Sequence, residues 1–262
     1  MLTDSHCHPF DLINIFPKAE EERRKLNVLA MASSFRIEEF ISNETLAKTA
    51  FAENAAPLLL CFGIHPQQFT IRNGSNEGLE ILEELAAGKR ISAIGECGFD
   101  LYNSEFRETE KLQDEYFTAQ IDIALKYDLP VVIHARRAIH KIFACAKTLS
   151  KCKAVIFHSW SGTPDEAQAL LRRGINVFFS FGNVIMLNHK QAIQSCIILP
   201  TDRLLLETDA PYQPRRTENF SIWADLPLIL ETAAALRSEA GNNTCVKELE
   251  IQIENNFRRA FI

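Results

Sequence analysis

The feature that most limits what this chain can fold into is a repeated ending: short apolar runs that stop abruptly at an acid or a histidine. Leu204, Leu205 and Leu206 run into Glu207, Thr208 and Asp209, and Pro211 closes the segment. Five earlier runs stop in the same way, at His6 and His8, at His65, at Glu96, at His134 and at His158. One such ending is ordinarily a chain turning into solvent. Six of one kind call for a common destination.

Eight apolar runs have the length of strands, over residues 1–5, 28–32, 58–62, 91–94, 130–133, 154–157, 175–179 and 203–206. Segments of helical character separate them. From about residue 104 to 126, Leu112, Tyr116, Ala119, Ile123 and Tyr127 recur every three or four residues behind an acidic first turn, as a helix burying one face requires. Pro164 with Asp165 and Glu166 opens another helix and Gly174 offers its stop, while 37–53 reads as a third. Residues 18–25, acids ahead of bases at helical spacing, read as a solvated helix face, and 70–78 as a polar loop around Asn73-Gly74. Strands alternating with helices imply a parallel sheet. Eight units in 262 residues point to one domain over 1–262, an α/β fold closed as a (β/α)8 barrel of the TIM type. An open doubly wound sheet is the alternative.

Composition narrows the function classes. A net charge of -6 argues against coating nucleic acid or an anionic membrane through bulk charge, though not against a local basic pocket. No apolar run is long enough to span a bilayer and no signal peptide precedes Leu2. Seven scattered cysteines suit reduced thiols rather than a disulfide framework. The expectation is a soluble cytoplasmic protein with no membrane attachment and no obligate protein partner. Cys7, between His6 and His8, points away from the face its neighbours share in an extended chain.

In an eight-stranded barrel the C-terminal strand ends converge on one mouth, where chemistry sits. His6 and His8, two apart, leave one face together and can grip one ion. With Glu96, His134, His158 and Asp209 the mouth would hold four imidazoles and two carboxylates. That set exceeds what one tetrahedral ion with an open position needs, and suits two divalent ions. Glu96 would bridge, with His6, His8 and Asp209 on one ion and His134 and His158 on the other. Water between them would lose a proton near neutral pH and the free oxygen of Asp209 would accept it, so hydrolysis follows. The donor set accepts Zn, Mn, Fe or Ni and tolerates Mg. A ligand His usually donates its other N–H to a carboxylate or carbonyl that fixes the ring, and Asp4 and Glu207 are the candidates. His65 and Arg136 are candidates for holding an anionic substrate group; a salt bridge at the next helix is the other reading of Arg136. His140, within a predicted helix, and His189, near the start of one, have no convergent partners and are assigned no function.

The segments Asp4-Ser5-His6-Cys7-His8, Gly63-Ile64-His65-Pro66, Ile94-Gly95-Glu96-Cys97-Gly98-Phe99-Asp100, Pro130-Val131-Val132-Ile133-His134-Ala135-Arg136 and Leu206-Glu207-Thr208-Asp209-Ala210-Pro211-Tyr212 together resemble the TatD family of metal-dependent deoxyribonucleases. Asn256-Phe257-Arg258-Arg259-Ala260-Phe261 is similar to the family's closing helix, so the resemblance covers the whole chain. It implies a TIM barrel of the amidohydrolase type, two divalent metals and phosphodiester hydrolysis on DNA. Metal ligands carry over to His6, His8, Glu96, His134, His158 and Asp209, and phosphate contacts to His65 and Arg136. The chain departs from the pattern where Pro9 and Phe10 delay an expected Asp to Asp11, at Gln67 and Trp160, and above all over 213–225. There Pro214-Arg215-Arg216-Thr217-Glu218-Asn219 replaces the usual Gly-Lys-Arg-Asn.

The leading expectation is therefore a metal-dependent phosphodiesterase that trims single-stranded DNA ends, with Arg136, Arg137, Arg215 and Arg216 as local positive charge and Trp160 or Tyr212 to stack a base. Hydrolysis of a small ester, lactone or amide is a second reading, since one barrel supports many chemistries. A metal-holding binding module without catalysis is a third, and the open coordination implied by the ligand set counts against it.

Overall fold

The computed structural model describes residues 1–70 and 77–262, so the loop expected around Asn73-Gly74 lies for the most part outside the described residues. Eight strands run in parallel, β1 (Thr3–Cys7), β2 (Leu29–Ser34), β3 (Leu58–Phe62), β4 (Ala93–Asp100), β5 (Val131–Arg136), β6 (Val155–Phe157), β7 (Val177–Phe181) and β8 (Leu204–Leu206). Each pairs with the next in sequence order, which is barrel connectivity rather than that of an open doubly wound sheet. β8 returns to β1 through a short set of bonds. Asp209 N–H donates to the His6 carbonyl at 2.9 Å and His8 N–H to the Ala210 carbonyl at 2.7 Å. The buried Asp4 carboxylate adds the Thr208 N–H and hydroxyl at 3.0 and 2.6 Å.

Two packing layers follow from the two faces of each strand. Leu29, Met31, Cys61, Val132, Ile156 and Phe178 belong to one buried cluster, together with Phe257 and Phe261 from the helix Val246–Phe261. The outward residues pack with the surrounding helices in a second, larger cluster. Asn256 on that last helix donates to the carbonyls of Thr201 and Leu204, at the start of β8. The helix thus stoppers the N-terminal end of the barrel. The opposite mouth stays open.

The apolar runs mark each strand, but several strands continue past the point where apolar character ends. β4 reaches Asp100 and β5 reaches Arg136, because a barrel strand keeps pairing while its polar side chains turn to the mouth. The long helix expected from residue 104 is two helices, Ser104–Glu108 and Glu110–Tyr127. The buried Gln113 amide binds Asp100 O, Phe106 O and Thr109 Oγ1 at the break, anchoring it to the end of β4. The helix Pro164–Arg172 carries a capping box between Thr163 and Glu166 and ends before Gly174. One expectation needs correction: Arg23, on the charged helix Ala19–Leu26, is fully buried. Its guanidinium donates to Val28 O at 2.7 Å and Ala56 O at 2.8 Å and pairs with Glu20, so that face is not wholly solvated. Among the described residues no helix is long and apolar enough to cross a membrane.

Candidate metal centre

Register decides which residues reach the mouth. The β1–β2 pairing slips between Asp4 and Cys7, and the β4–β5 pairing slips between Ile94 and Cys97. Each irregularity brackets one chemical residue, His6 in the first and Glu96 in the second, as expected of a bulge that re-aims a side chain. Cys7 turns the other way, its thiol donating to Met31 O. His158 and Asp209 follow β6 and β8, and Asp209 takes the left-handed backbone, φ 53°, which a non-glycine residue holds only when its surroundings fix it. Glu96, His158 and Asp209 line a cavity of about 690 Å³ with His8 and His134, and His6 is buried against them.

All six sequence-derived ligand candidates meet there. His6 Nε2 and His8 Nε2 are 3.1 Å apart, and Asp209 Oδ1 lies 3.5 Å from each. Glu96 Oε2 stands 3.3 Å from His6 Nε2. Bonds of about 2.0–2.2 Å to a tetrahedral ion imply donor separations of ~3.3–3.5 Å, so this first group has the spacing of a coordination polyhedron. The second group is tighter: Glu96 Oε1 is 2.6 Å from His158 Nε2 and 2.7 Å from His134 Nδ1. Three overlapping sets have the proximity to hold an ion, His6, His8 and Asp209; His6, Glu96 and His158; and His65, Glu96 and His134. Glu96 belongs to two of them.

The charges explain why such a cluster suits cations. Glu96 and Asp209 are 5% and 7% exposed, and among the described residues neither has a lysine or arginine as ion-pair partner. Burial alone would raise both carboxyls. Instead the imidazoles of His158, His65 and His134 hold Glu96 well below the usual carboxylate range, and His8, His6 and His158 lower Asp209. The reciprocal effect lifts His158, through Glu96 and Glu207, against its own desolvation. A bound cation would supply the positive charge that neither buried carboxylate receives from a lysine or arginine among the described residues. The donor set and the spacing of its first group therefore fit divalent metal.

Other expected residues arrive in varied ways. Glu207 Oε1 accepts from Ser159 N–H at 2.7 Å and lies 3.7 Å from His158 Nδ1, beside the ring it was expected to orient. Asp4 touches no imidazole: it binds Thr208 and the His6 N–H, and burial pushes it up to about 7 against those donors. His65 Nδ1 accepts the Gln67 N–H while its Nε2 stands 3.1 Å from Glu96, so it sits deeper than an outlying substrate contact would. Burial lowers this imidazole, outweighing the pull of Glu96. Arg136 lines the cavity, with its guanidinium 3.7 Å from the centre of the Tyr102 ring. Trp160 is buried against Phe157 and Phe179 and cannot stack a base. Arg215 is paired with Asp225 at 2.8 Å and is not free charge. Asp11 accepts from the Tyr212 hydroxyl. His140 is exposed on the helix Ile139–Ala144, but His189, given no role from sequence, lines the cavity.

Three residues were missed. Asp100 accepts from His134 Nε2 at 3.1 Å and Gln67 Nε2 at 2.7 Å; it lies four residues beyond Glu96, on the same strand face, and that even spacing was the available signal. Gln67 itself is the second. Gln213 is the third, from the segment where the chain departs from the expected pattern.

With the geometry in place, comparison with known proteins is informative. A family model described as TatD related DNase matches residues 3–262. The 3'-5' ssDNA/RNA exonuclease TatD of Erwinia tasmaniensis is 33% identical over 207 residues, 76% of either chain. A metal-dependent hydrolase of Buchnera aphidicola is 30% identical over 229 residues, 80% of this chain and 81% of its own. The crystal structure of a TatD homologue from Escherichia coli K12 superposes with a TM-score of 0.83 at 26% identity, covering 99% of this chain and 97% of that one.

Proposed function

The chain belongs to the family of TatD-related DNases, and from that premise we propose that it is a metal-dependent phosphodiesterase that removes nucleotides from single-stranded nucleic acid ends. The observation that carries this reading is the convergence of His6, His8, Glu96, His134, His158 and Asp209 at one barrel mouth, all but His6 lining its cavity, with no lysine or arginine among the described residues paired to either carboxylate. The 3'-to-5' direction is carried over from the names of its relatives. About 690 Å³ is within the range for one small ligand, roughly 300–1,000 Å³, which suits a strand terminus rather than a duplex.

In this reading His6, His8 and Asp209 would hold one divalent ion and His134 and His158 a second, with Glu96 within reach of both groups. When bound, such cations would supply Lewis acidity toward a phosphoryl group and toward water. Asp209 is the proton acceptor, through Oδ2, since Oδ1 is turned to His6 and His8. Glu207 steadies the His158 ring and Asp4 steadies the turn that carries Asp209. Arg136, exposed at the rim and stacked on Tyr102, binds phosphate through its planar fork. His65 Nε2–H, shared with Glu96, offers a deeper donor to the same anionic group. The protein is a single domain over 1–262. The test is digestion of oligonucleotides labelled at either end, single- and double-stranded, with Mg²⁺, Mn²⁺ or Zn²⁺ against a chelator. Shortening of the single strand that stops with chelator is expected; hydrolysis of small esters but of no oligonucleotide would overturn the reading.

A further inference from the structure

The loop after β8 folds back on the mouth. Asp209 and Gln213 both take left-handed backbone, φ 53° and 51°, and Tyr212 N–H closes the turn on Asp209 O at 2.7 Å. Gln213 is held at both ends. Its carbonyl accepts from Asn183 Nδ2 at 3.0 Å, and Asn183 is buried beside Asp225. Its carboxamide meets the Ser159 hydroxyl at 2.8 and 2.9 Å. Between these anchors Gln213 Nε2 lies 2.6 Å from Asp209 Oδ2. An ionised carboxylate only accepts, so the NH₂ end of the amide must face it.

The two oxygens of Asp209 thus have separate environments, Oδ1 with His6 and His8 and Oδ2 with Gln213. We propose that Gln213, braced by Ser159, is a positioning residue for Asp209, fixing the rotation of its carboxylate so that Oδ1 faces the metal-binding imidazoles and one lone pair of Oδ2 faces the attacking water. The proposal rests on the phosphodiesterase reading for its kinetic consequence. A carboxylate turns about its last bond with little resistance, and a partial turn would carry one oxygen off the imidazoles and the other off the water. The amide occupies one lone pair of Oδ2 and leaves the other in a fixed direction. Ser159, with φ 46° after β6, places its hydroxyl by a backbone tied to Glu207, so one carboxylate of this mouth braces the turn that orders the other.

The experiment compares wild type with Gln213→Ala, Gln213→Glu and Ser159→Ala, all saturated with Mn²⁺. Gln213→Ala lowers kcat by about tenfold or more, the loss expected for one hydrogen bond to a charged group, with KM nearly unchanged. Gln213→Glu has the same shape but turns an acceptor toward an acceptor, and is slower than Gln213→Ala. Ser159→Ala gives a smaller loss. Crystal structures of the Mn²⁺ forms show one Asp209 carboxylate orientation in wild type and a rotated or split one in Gln213→Ala. A Gln213→Glu enzyme as fast as wild type, or an unchanged Asp209 orientation without Gln213, overturns the proposal. Should wild type cleave no oligonucleotide, the phosphodiesterase reading falls, while the carboxylate orientation still decides the part played by Gln213.

Discussion

Replacing Gly98 by alanine offers a severe test of how the mouth is held. Gly98 sits on β4 at φ 133°, backbone that a side chain does not tolerate, and pairs with His134 on β5. A Cβ there would stand 2.1 Å from the His134 carbonyl oxygen, so the strands must part by about 1 Å before the contact becomes tolerable. His134 would move with its backbone, away from Glu96 at 2.7 Å and Asp100 at 3.1 Å. A displacement of ~1 Å in a catalytic group costs on the order of 100-fold in rate. Backbone strain and overpacking together cost roughly 3 kcal/mol or more, or about 10 °C of melting temperature for a chain of this size. Gly174→Ala is the control, since Gly174 also has positive φ, 74°, but nothing lies within 4 Å of its Cβ position. It should cost only about 1–2 kcal/mol and leave kcat untouched. Both variants are measured by oligonucleotide turnover and thermal unfolding. If Gly98→Ala melts with Gly174→Ala and keeps wild-type kcat, the close approach of β4 and β5 does not hold the site together.

Three further outcomes follow from the same geometry. Asp209→Asn should keep metal through His6 and His8 yet lose ~10²–10⁴-fold in turnover, the usual worth of a placed general base; calorimetry with Mn²⁺ and a rate assay separate the two effects, and near-normal turnover would remove Asp209 from the proton transfer. Saturating divalent metal at about 100 times its Kd should stabilise the chelator-treated protein by ~2.7 kcal/mol, read as a rise in melting temperature; no rise would mean the cluster binds no cation when folded. Asp100, fully buried, would be raised by desolvation, but His134, Gln67 and the Tyr102 N–H bring it down to about 2. Its folded value is depressed, so its contribution is present above the unfolded carboxyl value near 4 and is lost as pH falls toward 2. Urea midpoints of metal-free protein over that interval should fall less steeply for Asp100→Asn, by roughly 2 kcal/mol in total; parallel curves would rule out the linkage.

How much of this was legible in the chain depends on the range of the interaction that places each residue. The barrel was readable because apolar runs and helix starts act locally: 58–62 coincides with β3, and Pro164 with Asp165 and Glu166 opens its helix as expected. The gathering of the six ligand candidates was readable for a related reason, since parallel strands in sequence order bring their C-terminal ends to one mouth whatever the loops do. Strand extent was not, because the chain goes on pairing past Glu96, from Cys97 to Asp100, and on β5 through His134 to Arg136. Arg23 reads as surface by its neighbours and is buried by carbonyls from two other segments, a satisfaction no helical spacing reveals. Trp160 likewise lost its expected role to packing against Phe179.

Gln213 is the case that separates the two kinds of knowledge most sharply. From sequence, the segment after Pro211 registers only as a departure from the family's pattern, with substrate choice as the natural consequence of a changed mouth loop. In the folded protein its first effect is inward, on the carboxylate four residues earlier, because two left-handed residues reverse the chain within that span. Divergence at this loop is therefore coupled to the orientation of Asp209 as well as to the shape of the entrance. A relative with another residue at this position must orient the same carboxylate through different contacts or leave it free to turn. Exchanging the 213–225 segment for that of a relative should thus change kcat together with substrate preference; a chimera altered in preference alone would show that the two properties are separable.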